Sequence, residues 1–160
     1  MSTSKALNGF VPMRMAGSGY NTTGMTKYDI ANNTASNIFF GDVVKTASGF
    51  LTPIATTTDY AVGVGCEYID PTTKQLTFSR HFPANTSSAV GVPKAMVVDD
   101  PSASFMVQAD ASVTAGDING MNFAVTLGSG STVTGNSGFG IKAASRATTH
   151  LLARPIAVVD

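Results

Sequence analysis

The sequence predicts an all-β fold: a compact antiparallel β-barrel or sandwich with an extended N-terminal arm. Three observations lead there. Short apolar runs recur between turn signals made of Gly, Asp-Pro or clusters of Thr, Ser and Asn, the pattern of strands joined by brief connections. Glu67 is the only glutamate in 160 residues, so the i,i+4 pairs that ordinarily stabilise exposed helix faces are missing. Glycines alternate with β-branched and aromatic residues through the last third of the chain, as tight connections between strands require.

The elements follow in order. Residues 1–28 have neither period-2 nor period-3.6 order: Phe10-Val11-Pro12-Met13-Arg14-Met15 is followed by Gly17-Ser18-Gly19, which reads as an extended arm, with the β domain over 29–160. Apolar side chains on a solvated arm would be wasted. Phe10, Val11, Met13, Met15 and Tyr20 are therefore candidate interface residues, with Arg14 included from among them, lying either on a neighbouring subunit or on an edge of the chain's own barrel.

Beyond Tyr28, Ile38-Phe39-Phe40 leads into Gly41-Asp42-Val43-Val44-Lys45, then Gly49-Phe50-Leu51-Thr52, then 60–69, as consecutive antiparallel strands. Asp70-Pro71-Thr72-Thr73-Lys74 is a turn, because proline presets one dihedral and aspartate can bond back to the backbone. Residues 75–81 return as the hairpin partner. Further strands are expected at 95–98, 104–109, 122–127, 131–134, 138–143 and 155–159, and a helical turn only within 143–152. Gly41-Asp42-Val43 and Gly116-Asp117-Ile118 echo each other. The echo is read as repeated turn grammar, in which glycine supplies a positive dihedral and aspartate binds a nearby N–H at the entry to a strand.

Composition limits the partners. The hydrophobic fraction is 43% and the mean hydropathy +0.15, so the chain has a core to bury. Only 12% of residues are charged and the net charge is +0, against roughly 25% charged in ordinary soluble domains. Ser, Thr, Asn and Gly must cover the surface, and such groups are cheaper to desolvate against another protein than ions are. No basic cluster exists to hold nucleic acid. No apolar run reaches the ~18 residues of a membrane helix, and the N-terminus lacks the apolar stretch of a secretory signal; a soluble protein of a reducing cytoplasm is expected. Cys66 is the single cysteine, so no internal disulfide forms.

The inventory for catalysis is thin. His81 and His150 are the only histidines, and Cys66 lies within an apolar strand, where an inert buried thiol is expected. Asp99-Asp100 precedes Pro101; adjacent strand residues face opposite ways, so the pair is read as a turn rather than a carboxylate site. Asp117-Ile118-Asn119-Gly120 approaches a calcium loop, but its glycine falls early and no glutamate closes it. No catalytic residue, cofactor site or metal site is assigned, and no enzyme is expected.

Several motifs occur in a telling order: Asn8-Gly9-Phe10-Val11-Pro12 with Gly17-Ser18-Gly19-Tyr20-Asn21, Tyr28-Asp29-Ile30, then Ile38-Phe39-Phe40-Gly41-Asp42-Val43-Val44. Gly63-Val64-Gly65-Cys66-Glu67-Tyr68, Val98-Asp99-Asp100-Pro101 with Phe105-Met106-Val107-Gln108, and Thr134-Gly135-Asn136-Ser137 follow. In that order they resemble a family of tailed-bacteriophage virion proteins that decorate or cement the capsid. The absence of tryptophan departs from such modules and leaves Phe and Tyr to anchor the core. The resemblance implies a structural protein on the capsid exterior, assembled in the host cytoplasm, with the major capsid protein and further copies of itself, as a homotrimer, for partners. A tail or fibre subunit and a carbohydrate-binding β module are the competing expectations. The second needs an exposed aromatic platform, for which Tyr20, Tyr28, Tyr60 and Tyr68 are the candidates.

Overall fold

A computed structural model describes residues 7–15, 24–54, 62–149, 151 and 153–158, without the side chains of Arg14, Met15 and 62–64. The strands in chain order are β1 (Val11–Met15), β2 (Thr26–Asp29), β3 (Ile38–Phe39), β4 (Val44–Ala47), β5 (Phe50–Pro53), β6 (Val62–Ile69), β7 (Leu76–Ser79), β8 (His81–Phe82), β9 (Lys94–Val98), β10 (Ala103–Met106), β11 (Val125–Thr126) and β12 (Gly140–Ile141). A four-stranded sheet in the order β2-β9-β6-β7 is the largest layer. Around it sit the two-stranded ribbons β1-β10, β3-β8, β4-β5 and β11-β12. Among the described residues every pairing between these strands is antiparallel, as the all-β, antiparallel expectation requires, and the parallel contacts are single bridges such as Ile30 with Leu51. Among the described residues the large sheet does not close on itself: β2 and β7 are its edges.

Period-2 alternation explains why the sheet has one dry face. Cys66 stands opposite Ala95 and Ser79, and Tyr68 opposite Thr77, so these side chains share a face. On it, Ile30, Ile38, Val44, Leu51, Cys66, Phe82, Ala95 and Val97 pack together with Tyr28 and Tyr68. A second core joins Phe10, Val43, Ile54, Val125 and Phe139 with Phe105, Val107 and Ile141. Val43 and Val44 are sequence neighbours that serve different cores. Neighbouring residues of extended chain face opposite ways, so the entry to β4 is an apolar wall between two layers, which is why its sequence runs continuously apolar instead of alternating. Phe82 and Phe123 are among the largest fully buried side chains, filling the anchoring role that tryptophan leaves vacant.

The turns carry the expected chemistry. Asp70 accepts the N–H groups of Thr72 and Thr73 at 2.7 and 2.8 Å, and those donors hold its carboxyl below the ordinary carboxylate range. The two Gly-Asp sites share one device. Asp42 accepts the N–H of Phe39 at 2.9 Å while its own N–H donates to the Phe39 carbonyl at 3.0 Å. Asp117 repeats this on Thr114, at 3.0 and 2.9 Å. The grammar is common but the outcome differs: Asp42 leads into β4, whereas Asp117 closes a single helical turn, α1 (Ala115–Ile118), and pairs with Arg146.

Other expectations are corrected. Residues 131–134 are a turn, with the N–H of Gly135 donating to the Ser131 carbonyl at 2.7 Å. Residues 155–158 form no strand, and the helical turn expected within 143–152 shrinks to a 3-10 turn over Ala143–Ser145. The glycines of 128–140 do not make tight hairpins. β11 and β12 pair directly, Val125 with Ile141 and Thr126 with Gly140, and residues 127–139 form a loop folded against itself. There a side chain on Gly138 would meet the Ser129 carbonyl, and one on Gly130 would meet the Phe39 ring, so close packing requires these glycines.

Of the residues expected as an arm, those described, 7–15 and 24–28, are held against the body. β1 pairs with β10, Val11 opposite Met106 and Pro12 opposite Phe105. The N–H of Gly9 donates to the Phe139 carbonyl at 3.1 Å, and that of Phe10 to the Gly41 carbonyl at 2.9 Å. The boundary expected after residue 28 falls inside β2, which belongs to the large sheet.

Candidate interaction surface

The candidate interface residues separate when placed on the fold. Phe10 is 6% exposed and packs edge-on against Phe105, ring centroids 6.4 Å apart. It is therefore spent on the chain's own core rather than on a partner. Pro12 and Phe105 share the inward face of the β1-β10 ribbon, and Val11 and Met106 the outward one. The register slips between Pro12 and Arg14; this bulge interrupts strict alternation, and Met13, within it, is 55% exposed. Met106 is 50% exposed. Val11 is half-buried between them in the ladder. Arg14 and Met15 lie on β1 with their side chains undescribed, and Tyr20 lies outside the described residues.

The ribbon thus presents Val11, Met13 and Met106 outward on a base pinned by Phe10. Methionine thioethers adapt to irregular surfaces and lose no bound water of consequence on contact, so this face can pack against another protein without charge pairing. Sequence reasoning named Val11 and Met13 but missed Met106. The signal was present: in Phe105-Met106-Val107 the outer residues are inward and half-buried, so period 2 sends the middle one outward.

Chemistry-bearing residues are dispersed. The Cys66 thiol is buried, and burial, together with the charge of Asp42, pushes it up to about 12, so a thiolate nucleophile is not formed near neutrality. His81 stacks on Phe39 at 5.6 Å, and His150 lies outside the described residues. The two adjacent aspartates diverge. Asp99 accepts the hydroxyls of Thr26 and Tyr28 at 3.1 and 2.8 Å, a bond that raises the Tyr28 phenol above its ordinary value. Asp100 accepts the N–H of Ser102 at 2.7 Å and begins a turn closed by Ala103. Among the described residues no group of three or more His, Cys, Asp or Glu could hold a metal ion, and no helix is long and apolar enough to cross a membrane.

A shallow groove of about 490 Å³ lies between the N-terminal segment and the 127–139 loop, lined by Leu7, Asn8, Ser129, Ser131, Thr134, Asn136, Ser137 and Gly138. It is rich in hydroxyls and contains no aromatic ring, the platform on which a sugar would stack. Comparison with protein-family models, curated proteins and solved structures finds no match to this chain.

Proposed function

We propose that this chain is a tailed-bacteriophage virion structural protein that binds the outside of the capsid and cements neighbouring capsomers. Three properties support the reading: the ordered turn motifs over most of the chain, an all-β scaffold, and a surface poor in charge. The observation that carries it is the outward face of the β1-β10 ribbon, where Met13 and Met106 stand about half exposed on a strand locked to the core through Phe10. A capsid repeats one surface many times, so a modest contact of this kind is multiplied when each copy touches adjacent capsomers. The major capsid protein is the partner, and pulling capsomers apart then requires breaking the bridging contacts as well.

The test is sedimentation of the purified chain with empty phage heads. The parent chain pellets with the heads to a fixed number of copies. The double variant Met13→Asp with Met106→Asp, whose side chains are exposed, keeps the parent's circular dichroism and melting temperature but binds about tenfold more weakly or worse, since a carboxylate must be desolvated at each contact. Undiminished binding by that folded variant, or labelled chain located on tails instead of heads, sinks the proposal.

A further inference from the structure

The open edge of the large sheet at β7 carries a second surface. Leu76 and Phe78 are 60% and 65% exposed, while Thr77 and Ser79 between and beside them are turned inward and half-buried. This inverts the usual alternation of apolar inside and polar outside. The other edge, β2, is guarded: Lys27 pairs with Glu67 at 2.7 Å and Asp29 with Lys94 at 2.6 Å. β7 has no charge, proline or bulge over Leu76–Ser79, the devices that keep edges from pairing.

The hydrogen-bond phase of that edge is fixed. Asp70 N–H donates to the Gln75 carbonyl at 2.9 Å, so Asp70 and Gln75 are a hydrogen-bonded pair, and alternation along the ladder makes Ile69–Leu76 and Glu67–Phe78 non-hydrogen-bonded. Ile69 agrees, since its N–H donates to the Ser88 hydroxyl and its carbonyl accepts from Ala89, both away from β7. Leu76 and Phe78 therefore aim their N–H and C=O groups out of the sheet edge, and among the described residues nothing pairs with them.

We infer that β7 is a homotypic seam: two copies join edge to edge, antiparallel, with Thr77 on the two-fold axis. In that register Leu76 of one copy opposes Phe78 of the other, and the four outward backbone groups of each copy all find partners. Both apolar side chains meet cross-strand on the same face, an aromatic–aliphatic pair formed twice. Thr77 meets its own copy as the non-hydrogen-bonded pair at the centre. A shift of one residue either way would oppose groups of the wrong phase and lose these bonds. The result is a closed dimer with a continuous eight-stranded sheet, in place of the trimer that the virion resemblance implies. The seam is short and sets Lys74 of each copy opposite Arg80 of the other, a like-charge pair at each end, so the dimer is weak, of the kind that forms readily when a lattice already holds copies side by side.

Sedimentation equilibrium of the full chain up to about 1 mM is the first arm, and it shows a monomer–dimer equilibrium. Phe78→Lys weakens the dimer about tenfold or more through loss of both apolar pairs. Leu76→Pro abolishes it, because its missing N–H faces only the seam. The register is read by Thr77→Cys. Non-hydrogen-bonded partners stand about 4.5 Å apart at Cα, within disulfide reach, so mild oxidation cross-links that variant to a dimer. Gln75→Cys, which opposes Ser79 of the other copy, does not cross-link. The buried native Cys66 stays silent in both. A strict monomer at all concentrations, a dimer or trimer indifferent to Phe78→Lys in a chain with unchanged circular dichroism, or no cross-link from Thr77→Cys overturns the seam.

Discussion

Asp42 is a buried acid whose pairing is incomplete. Asp42 is 2% exposed, its Oδ2 accepts the N–H of Phe39, and among the described residues its Oδ1 has no hydrogen-bond partner. Burial pushes its carboxyl above the ordinary 3.8, outweighing the opposing pull of the Ser137 hydroxyl and the Phe39 N–H. With the folded value raised, the folded chain keeps a proton over a window just above 3.8 where the unfolded chain has lost it. Stability then falls as pH rises through that window, and the loss persists at neutral pH. Asp42→Asn keeps an acceptor for Phe39 and removes the charge, so the melting temperature at pH 7 should rise by a few degrees and the gain should vanish below about pH 3.5. Thermal melts across pH decide it; a lower melting temperature at pH 7 would show that the charge is stabilising.

The strand that opens the fold illustrates what an element needs beyond its own residues. Gly9 has φ +76° and Gly41 φ +86°. A side chain on Gly9 would come within 2.6 Å of the Ser137 Cβ and 2.7 Å of the Gly41 carbonyl oxygen. Only glycine permits both the positive dihedral and this approach, and through it Phe10 reaches the second core. Gly9→Ala should therefore cost about 2 kcal/mol or more, seen as a lower denaturant midpoint with an unchanged slope; a shift under about 0.5 kcal/mol would mean that the segment does not dock as described. The sequence marked this stretch as apolar and without strand periodicity. It did not mark it as paired, because the partner strand β10 lies some ninety residues away and neither strand's pattern names the other. β6 and β7 were easier, since the Asp70-Pro71 turn joins them directly.

For the molecule as a whole, the low charge decides how it should associate. With net charge +0 and Lys+Arg 10 against Asp+Glu 10, and with Lys27 and Lys94 already satisfied within the chain, there is little long-range field to screen. Head binding measured by sedimentation should change less than about twofold between about 50 and 500 mM salt. A steep loss at high salt would assign the contact to charged groups and not to the methionine ribbon.

The sequence by itself determined the class of the fold, the positions of most strands, the Asp-centred turns, and the poverty of catalytic groups, because strand period, turn chemistry and residue inventory are local properties. What only the tertiary structure decided was which side of each strand is outside. Alternation divides Leu76, Thr77, Phe78 and Ser79 into two sets without saying which faces water, and the apolar set loses the inner side because Cys66 and Tyr68 fix the register of the hairpin. Phe10 went inward and Phe78 outward for the same reason: burial is assigned by the strands that arrive from elsewhere in the chain.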